Sequence, residues 1–395
     1  MRMTWEWLRA SALVGTLVLL SWSCSGDGGS KDTSTSGADS PDSAEKASGN
    51  DAGLGFKVGI MTGTVSQGED EYRGAEKMIE RYGEESIAHV TYPDNFMVEQ
   101  EAMISQILKM AYDSEVKAIV IAQGVPGSMA AIKRVREVRD DMVFLVYEPH
   151  EDPHQIAEYA DVCVMPDNVE RGNTIVQLAN NMGAETFVHY SFPRHMSQEL
   201  LSRRLDVMKA KCDELGMQFV FANAPDPTGD QGLPGAQKFI LEDVPRQVKL
   251  YGEDTAFFST NCGMQEPLIR ASLETHAIMP EQCCPSPTHG YPGALGIAIS
   301  EEDAGDMEAI RHAIHTKIEE GGNSGRMGAW AVSVGMMGIE ALTELAIRVV
   351  RDEVAVDNQA ALMTELQKAA GVEVTLQSFE GKPNYYMFLL QSVIF

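Results

Sequence analysis

The feature that most constrains the fold is a regular alternation of short apolar runs with amphipathic stretches, which begins at Phe56. Residues 56–61 predict a first strand, 69–82 predict the helix after it, and 87–92 predict a second strand. The same unit then repeats along the chain. Buried parallel strands need helices on both faces of their sheet, so the pattern predicts a doubly wound parallel α/β sheet.

A second series of strands and helices starts after residue 166, which predicts two lobes rather than one. We assign 54–166 to an amino-terminal lobe, completed by 326–352, and 167–325 to a carboxyl-terminal lobe, completed by 353–395. A hinge is expected between the two lobes. The cleft between such lobes is the default site for a ligand.

The first residues predict export. Residues 10–20 form an uncharged run of eleven residues, too short for a bilayer that needs about 20 but typical of a secretory signal, here placed at 1–23. The segment from Leu20 to Cys24 that follows the run resembles the lipobox of bacterial lipoproteins, which implies an acylated Cys24 anchored to a bacterial membrane and facing the periplasm or the cell exterior. Residues 25–53 contain no Val, Ile, Leu, Met or aromatic residue, so 24–53 is predicted to be a flexible linker.

The net charge of the chain excludes nucleic acid as a partner, and charged residues in one apolar region argue against a membrane-spanning segment. The chain has 31 Lys and Arg residues against 58 Asp and Glu residues, a net charge of −27, which repels nucleic acid. Residues 327–350 are apolar-rich, but Glu340, Glu344 and Arg348 give them a polar face. We therefore expect a helix of the domain there rather than a membrane span.

Several local patterns occur in a characteristic order. They are Asp167-Asn168 followed by Gly172, Leu178 and Gly183; Arg203-Arg204 in a helix ending at Leu215-Gly216; a strand running into Asn261; and Gly325-Arg326-Met327-Gly328 before a long helix. With these patterns the chain resembles the type 1 periplasmic solute-binding proteins, the ribose-binding and LacI-like group. The resemblance implies two hinged α/β lobes that close on a small polar solute and deliver it to an ABC-type permease.

The chain also departs from that group. Cys262 stands where the group has a ligand-binding Asp, no aromatic pair follows the first strand, and the usual Gly-Phe-Asp turn is missing from 287–293. These departures argue against a pyranose or furanose ligand and place the chain in a separate lipoprotein branch. Two other functions stay open: a membrane-tethered sensor that signals to a receptor or kinase, and a thiol-dependent hydrolase that uses Cys262 with His289. No nucleophile elbow, phosphate loop or dinucleotide fingerprint is present, so we expect a binding protein without a cofactor rather than an enzyme.

Candidate ligand-binding residues follow the predicted strands, because ligands of open α/β sheets collect at the carboxyl ends of the strands. Among them, Glu148 is expected to accept a hydrogen bond, and Arg194 to bind a carboxylate or phosphate, with a surface salt bridge as the alternative. The candidates are Thr62, Gly63, Thr64, Gln67, Gln123, Gly124, Tyr147, Glu148, His150, Asp167, Ser191, Arg194, Asn223, Asn261 and Gln265.

The number and positions of the cysteines lead to a disulfide hypothesis. Besides Cys24 the chain has five, Cys163, Cys212, Cys262, Cys283 and Cys284, an odd number for an exported protein. We hypothesise a disulfide between Cys262 and either Cys283 or Cys284. The set His276, Cys283, Cys284 and His289 matches none of the usual zinc spacings, so no metal site is expected.

Overall fold

The computed structural model describes residues 53–300, 303 and 305–395, without the side chains of Ser66 and Gln67. Its strands are β1 Lys57–Thr62, β2 Ile87–Thr91, β3 Val116–Ala122, β4 Val143–Tyr147, β5 Val162–Pro166, β6 Thr186–Ser191, β7 Gln218–Asn223, β8 Thr255–Ser259, β9 Gly328–Trp330, β10 Val374–Ser378, β11 Tyr385–Leu390 and β12 Ser392–Ile394. Its helices are α1 Val65–Tyr82, α2 Gln100–Tyr112, α3 Ser128–Arg136, α4 Pro153–Ile156, α5 Arg171–Asn181, α6 Pro193–Met196, α7 Glu199–Leu215, α8 Gly232–Tyr251, α9 Gln265–Glu274, α10 Tyr291–Leu295, α11 Met307–Glu320, α12 Val334–Val350 and α13 Gln359–Ala370.

The amino-terminal lobe is built on a seven-stranded sheet in the order β10-β11-β5-β4-β3-β1-β2. Its strand pairs are parallel, except that β10 runs antiparallel to β11. Central strands such as β3 are apolar on both faces, because both faces are covered. Helices α1, α12 and α13 pack on one face, and α2, α3 and α4 pack on the other.

The carboxyl-terminal lobe has a smaller parallel sheet in the order β7-β6-β8. Ile278 pairs in parallel with Ala256 of β8, and Met279 pairs with Met327, so the chain continues the sheet towards the antiparallel pair β9–β12. Helices α5 and α7 cover one face, and α8, α9, α10 and α11 cover the other. The predicted fold, two doubly wound α/β lobes, is confirmed.

The structure differs from the predicted lobe assignment in the last residues. Residues 353–395 were expected to complete the carboxyl-terminal lobe, but α13, β10 and β11 belong to the amino-terminal lobe, and only β12 pairs in the other. Strand β11 adds to β5 in parallel and buries Phe388 against α12 and α13. This pairing covers an edge of the larger sheet that would otherwise be exposed.

The apolar region at 327–350 is not one helix, since its first residues form β9 and α12 begins at Val334. Among the described residues, no helix has both the length and the apolar character that crossing a membrane requires.

Three segments connect the lobes: the β5–α5 link, the β9–α12 link and the β11–β12 link. They lie side by side, since the Asp167 amide donates to the Phe388 carbonyl at 2.8 Å and the Ala331 amide donates to the Gln391 carbonyl at 3.3 Å. We call these three connecting segments the crossings. The loops that follow the strands of both parallel sheets meet around them. Thr288 of one lobe donates to the Asp70 carboxylate of the other at 2.7 Å.

Candidate functional site

The amino-terminal lobe places a buried carboxyl, Glu71, behind the loop after β1. Its Oε1 accepts from the Gly63 amide at 2.7 Å and from the Tyr92 hydroxyl at 3.1 Å, and the Gln123 side chain donates to both carboxyl oxygens. Burial raises the pKa of Glu71 to about 7, although these hydrogen bonds oppose the rise. Glu71 thus holds three neighbouring strand-end segments together and titrates near neutral pH.

Two residues after neighbouring strands have strained backbones. Gln123 follows β3 with φ 57°, and Glu148 follows β4 with φ 48°, both in the left-handed region that non-glycine residues rarely adopt. Such positions cost on the order of 1–3 kcal/mol and cluster at functional sites. Burial, and after it the charge of Glu71, raises the pKa of Glu148 to about 7. The Glu148 carboxyl has no hydrogen-bond partner among the described residues, which leaves it available to a ligand.

Across the crossings, a buried ion pair fixes the loop after Met279. Arg171, at the start of α5, lies 2.6 Å from the Glu281 carboxylate and also donates to the carbonyls of Gln282 at 2.7 Å and Cys283 at 2.8 Å. The guanidinium carbon lies 5.4 Å from the centre of the Trp330 ring. Loop 281–284 is thereby held by charge-assisted hydrogen bonds.

A second buried cation, Arg204 of α7, is only partly satisfied. Its Nη1 donates to Asn168 Oδ1 at 3.1 Å, and its guanidinium lies 5.0 Å from the centre of the Phe258 ring. Its Nε and Nη2 atoms are buried and have no partner among the described residues. Burial, together with the nearby Arg171, lowers the pKa of Arg204 to about 10. Buried donors are normally paired with protein, water or a ligand, so the two unpartnered Arg204 atoms make this residue a candidate for ligand contact.

Three thiols lie beside these cations. Cys262 follows β8, Cys283 and Cys284 lie in the loop that Arg171 holds, and all three Sγ atoms lie within 4.8 Å of one another. The Cys283 thiol contacts the Thr260 carbonyl at 3.2 Å. Hydrogen bonds from the Cys262 and Cys284 thiols, and after them the charges of Arg204 and Arg171, lower the pKa of Cys283.

The structure contains no bond where the disulfide was predicted. All five described cysteines are free, and the Sγ atoms of Cys262 and Cys284 lie 3.2 Å apart, beyond the roughly 2.05 Å of a disulfide. Among the hydrogen bonds of the described residues, Cys262 has none with His289, the pair that the hydrolase interpretation requires.

Several predicted site residues lie at the ends of strands and make hydrogen bonds there. Thr62 donates to the Gly63 carbonyl at 2.8 Å, and Gly63 in turn reaches Glu71. On the other lobe, the hydroxyls of Ser191 and Thr260 lie 2.8 Å apart, and Asn261 accepts from the Gly263 amide at 2.9 Å in the turn that carries Cys262.

Other predicted site residues are buried and make hydrogen bonds within the fold. Tyr147 is fully buried and donates to the Val334 carbonyl at 2.9 Å, and Asp167 accepts from the amides of Val169 and Glu170 at the start of α5. Gln265 is buried, with its amide nitrogen 2.6 Å from the Ser259 hydroxyl, but its Oε1 has no partner among the described residues.

Arg194 forms the surface salt bridge that was its alternative role. Its Nε and Nη2 donate to the two carboxylate oxygens of Asp226 at 2.8 and 2.9 Å, and these hydrogen bonds lower the pKa of Asp226.

The remaining candidates lie at strand ends with local contacts. Thr64 donates to Asp94, and the His150 amide donates to the Gln123 carbonyl at 2.9 Å. Gly124 has φ 38°, and a Cβ there would lie 2.7 Å from the Pro149 Cα, so the tight turn needs glycine. Asn223 is exposed at the end of β7. The Gln67 side chain lies outside the described residues.

Sequence reasoning missed three charged residues that build the site: Glu71, Arg171 and Arg204. A signal for them was present, because each occupies a core-facing position of a helix. Arg204 precedes buried Met208 and Cys212 at steps of four residues, and Arg171 precedes buried Ile175 and Ala179 in the same way. A charge on the buried stripe of an amphipathic helix indicates a partner or a ligand.

With this geometry known, comparison with other proteins places the chain. The sequence pattern of a family described as "Protein of unknown function (DUF3798)" matches residues 56–328. The chain belongs to this family. Two proteins of Treponema pallidum (strain Nichols), both described as uncharacterized, are related to this DUF3798 member: one is 34% identical over 212 residues, 54% of this chain and 95% of the relative. The other is 37% identical over 180 residues, 44% of this chain and 81% of the relative.

Solved structures confirm the fold of this family member. A protein from Clostridium difficile 630, described as a candidate transcriptional regulator, has TM-score 0.76 and 28% identity, covering 86% of this chain and 99% of its own. A periplasmic solute-binding protein of an ABC transporter from Actinobacillus succinogenes 130z, with bound D-allose, has TM-score 0.52 and 11% identity, covering 86% and 97%. The fold is that of the type 1 periplasmic solute-binding proteins, as the resemblance implied.

Proposed function

We propose that this chain captures a small polar solute between its two lobes and delivers it to an ABC-type importer. The observation that carries the proposal is a group of buried polar atoms on the carboxyl-terminal lobe with no partner among the described residues: Arg204 Nε and Nη2, Gln265 Oε1 and Gln282 Oε1. Arg204 donates to Asn168 after β5, and Gln265 donates to the Asn261 carbonyl after β8, so both contact segments that follow strands. Leaving one such group unpaired costs about 1–3 kcal/mol, which a bound polar solute would relieve.

The two lobes offer complementary chemistry to such a solute. Glu148 and Gln123 come from the amino-terminal lobe on strained backbones, and Arg204 comes from the other lobe as a buried donor. A solute that accepts from Arg204 and hydrogen-bonds Glu148 makes both contacts only when the lobes are close. Closure about the crossings is then stabilised by the solute's extra affinity for the closed state.

The comparisons support this class of function. A structural relative with the same fold is described as a solute-binding protein of an ABC transporter with D-allose bound. We do not carry the sugar over, because Cys262 replaces the ligand-binding Asp of the group that this chain resembles. The Clostridium difficile relative is described as a candidate transcriptional regulator, but the net charge of −27 on this chain opposes contact with the phosphate backbone of nucleic acid.

We propose that the solute is captured outside the cytoplasmic membrane. This part of the proposal rests on the sequence of 1–53, which lies almost wholly outside the described residues: a secretory signal, Cys24 and a polar linker. More than one acyl chain on Cys24 would hold the chain at the membrane, since each buried CH₂ contributes about 0.8 kcal/mol. The polar linker would let the two lobes move relative to the anchor.

Thermal-shift measurements with a panel of pentoses, nucleosides, amino acids and dicarboxylates test the proposal. A compound at 100 times its Kd should raise the free energy of unfolding by about 2.7 kcal/mol. That compound should also reduce the radius of gyration measured by solution scattering. Glu148→Gln and Arg204→Met should each weaken the shift, whereas Glu158→Gln, an exposed change away from the crossings, should leave it unchanged.

Two results would count against solute capture. One is a panel, extended by native mass spectrometry of the purified chain, in which no compound binds. The other is a binding compound whose thermal shift is the same in Glu148→Gln, Arg204→Met and the control. Uptake of the identified solute by intact cells, lost on deletion of the protein, separates the importer from a tethered sensor.

A further inference from the structure

Three cysteine sulfurs converge near the crossings, and among the described residues no His, Asp or Glu joins their cluster. Cys262, Cys283 and Cys284 form the cluster, with every pair of Sγ atoms within 4.8 Å. The other two described cysteines are buried in separate places, Cys163 in the amino-terminal lobe and Cys212 between α7 and its sheet. One disulfide would use two of the three sulfurs and leave the third beside it.

The spacing suits a single metal ion. Sulfur ligands lie about 2.3 Å from Zn²⁺, which places the sulfurs about 3.8 Å from one another in a tetrahedral site. The Sγ atoms of Cys262 and Cys284 lie 3.2 Å apart, and every pair of the three lies within 4.8 Å. Side-chain movements of about 1 Å would close all three sulfurs around one ion. A set made of sulfur alone selects soft ions such as Zn²⁺ and Cu⁺ over Mg²⁺ or Ca²⁺.

The surroundings favour a negatively charged sulfur cluster. Arg171 fixes the loop of Cys283 and Cys284 through two backbone carbonyls, so two of the three ligands are held in place. Arg171 donates to the Cys283 carbonyl at 2.8 Å, so its positive charge lies beside the cluster and offsets the excess negative charge that a metal–thiolate group carries.

We propose that Cys262, Cys283 and Cys284 bind one soft d¹⁰ metal ion, Zn²⁺ or Cu⁺, with the fourth side of the ion open to the cleft. Cys262 is exposed, so the site has an entry path for the ion. An open fourth position accepts water or a donor atom of a second molecule, as in zinc sites with three protein ligands. This site does not require solute capture, because each can be present without the other.

Metal titration of the purified full-length chain tests the site. The chain is reduced and stripped of metal without oxygen, and Zn²⁺ or Cu⁺ is then added in separate experiments against a coloured competing chelator. We expect one ion per chain, with alkylation of Cys262, Cys283 and Cys284 slowed at least about tenfold. Each of Cys262→Ser, Cys283→Ser and Cys284→Ser should weaken binding by more than about tenfold, the loss that even changes to the surrounding residues of metal sites can cause.

Cys212→Ser is the matched control and should bind the ion like the unaltered chain, with circular dichroism confirming that every variant is folded. Uptake of Zn²⁺ or of Cu⁺ under these conditions supports the site and identifies its ion. Uptake of neither ion, or equal affinity in a chain lacking all three cysteines, overturns it. A chain whose three thiols react equally fast with and without the ion overturns it as well.

Discussion

Replacing Glu71 with glutamine should change how stability depends on pH. Burial raises the pKa of Glu71 from 4.5 to about 7 in the folded chain. Between these values the folded chain keeps a proton that the unfolded chain releases, so its free energy of unfolding falls as the pH rises. Each unit of pKa corresponds to about 1.4 kcal/mol, so the buried charge lowers the free energy of unfolding by about 3 kcal/mol at pH 8.

A glutamine side chain cannot ionise, so the Glu71→Gln variant lacks this loss. The amide oxygen can still accept from the Gly63 amide, and Gln123 can rotate its own amide to pair with the new one. Relative to the unaltered chain, the variant should therefore gain about 3 kcal/mol between pH 4.5 and pH 8. The measured quantity is the difference in free energy of unfolding between the variant and the unaltered chain, and how that difference changes with pH. Most other titrating groups contribute equally to both chains.

Urea unfolding, followed by circular dichroism at pH 4.5, 5.5, 6.5, 7.5 and 8, measures this difference in free energy of unfolding. Glu80→Gln is the matched control, because Glu80 lies on the same helix but is exposed. Its effect should stay within about 0.5 kcal/mol at every pH. If the difference between Glu71→Gln and the unaltered chain stays constant across this range, burial does not hold the proton on Glu71 and the reasoning fails.

Three further predictions follow from other contacts. Arg171→Met leaves Glu281 buried without its partner and should lower the free energy of unfolding by about 3–5 kcal/mol, with much of the loss recovered in Arg171→Met with Glu281→Gln, both measured by urea unfolding. Gly338→Ala places a Cβ 2.2 Å from the Tyr147 ring and should destabilise the chain by about 1–3 kcal/mol; an unchanged melting temperature would refute the tight packing. Cys24→Ser should release the protein from membranes into the soluble fraction, and mass spectrometry of the amino-terminal peptide should find acyl groups only on the unaltered chain.

Local patterns in the sequence were enough to predict most strands and helices. The first strand was predicted at 56–61 and occurs at Lys57–Thr62, and the second was predicted at 87–92 and occurs at Ile87–Thr91. These elements could be predicted because burial of an apolar face depends on spacing that is visible within a few residues. The pairing of β11 with β5 could not, because it joins residues more than 200 positions apart and no local signal specifies the partner.

In the candidate site, too, some features depend on the local sequence and could be predicted, whereas others depend on distant residues and could not. Glu148 was predicted from its place after β4, a property of the local sequence. Its raised pKa was not, since that depends first on burial and then on Glu71, a residue of a different helix. Arg204 likewise acts at the site only because α7 packs its buried stripe against the sheet, which brings its guanidinium over Phe258.

The thiol cluster follows from sheet register. Ala256 and Ile278 pair in parallel, so residues an equal number of positions beyond them leave the sheet side by side. Cys262 lies six residues after Ala256, and Cys284 lies six residues after Ile278, so both lie in the loops that leave this strand pair, where their sulfurs are 3.2 Å apart. The usual zinc-binding motifs have their ligands close together in one stretch of sequence. A search for such motifs therefore does not find cysteines that the pairing of two strands brings together. Counting from the paired strands, rather than along the chain, brings the three sulfurs together.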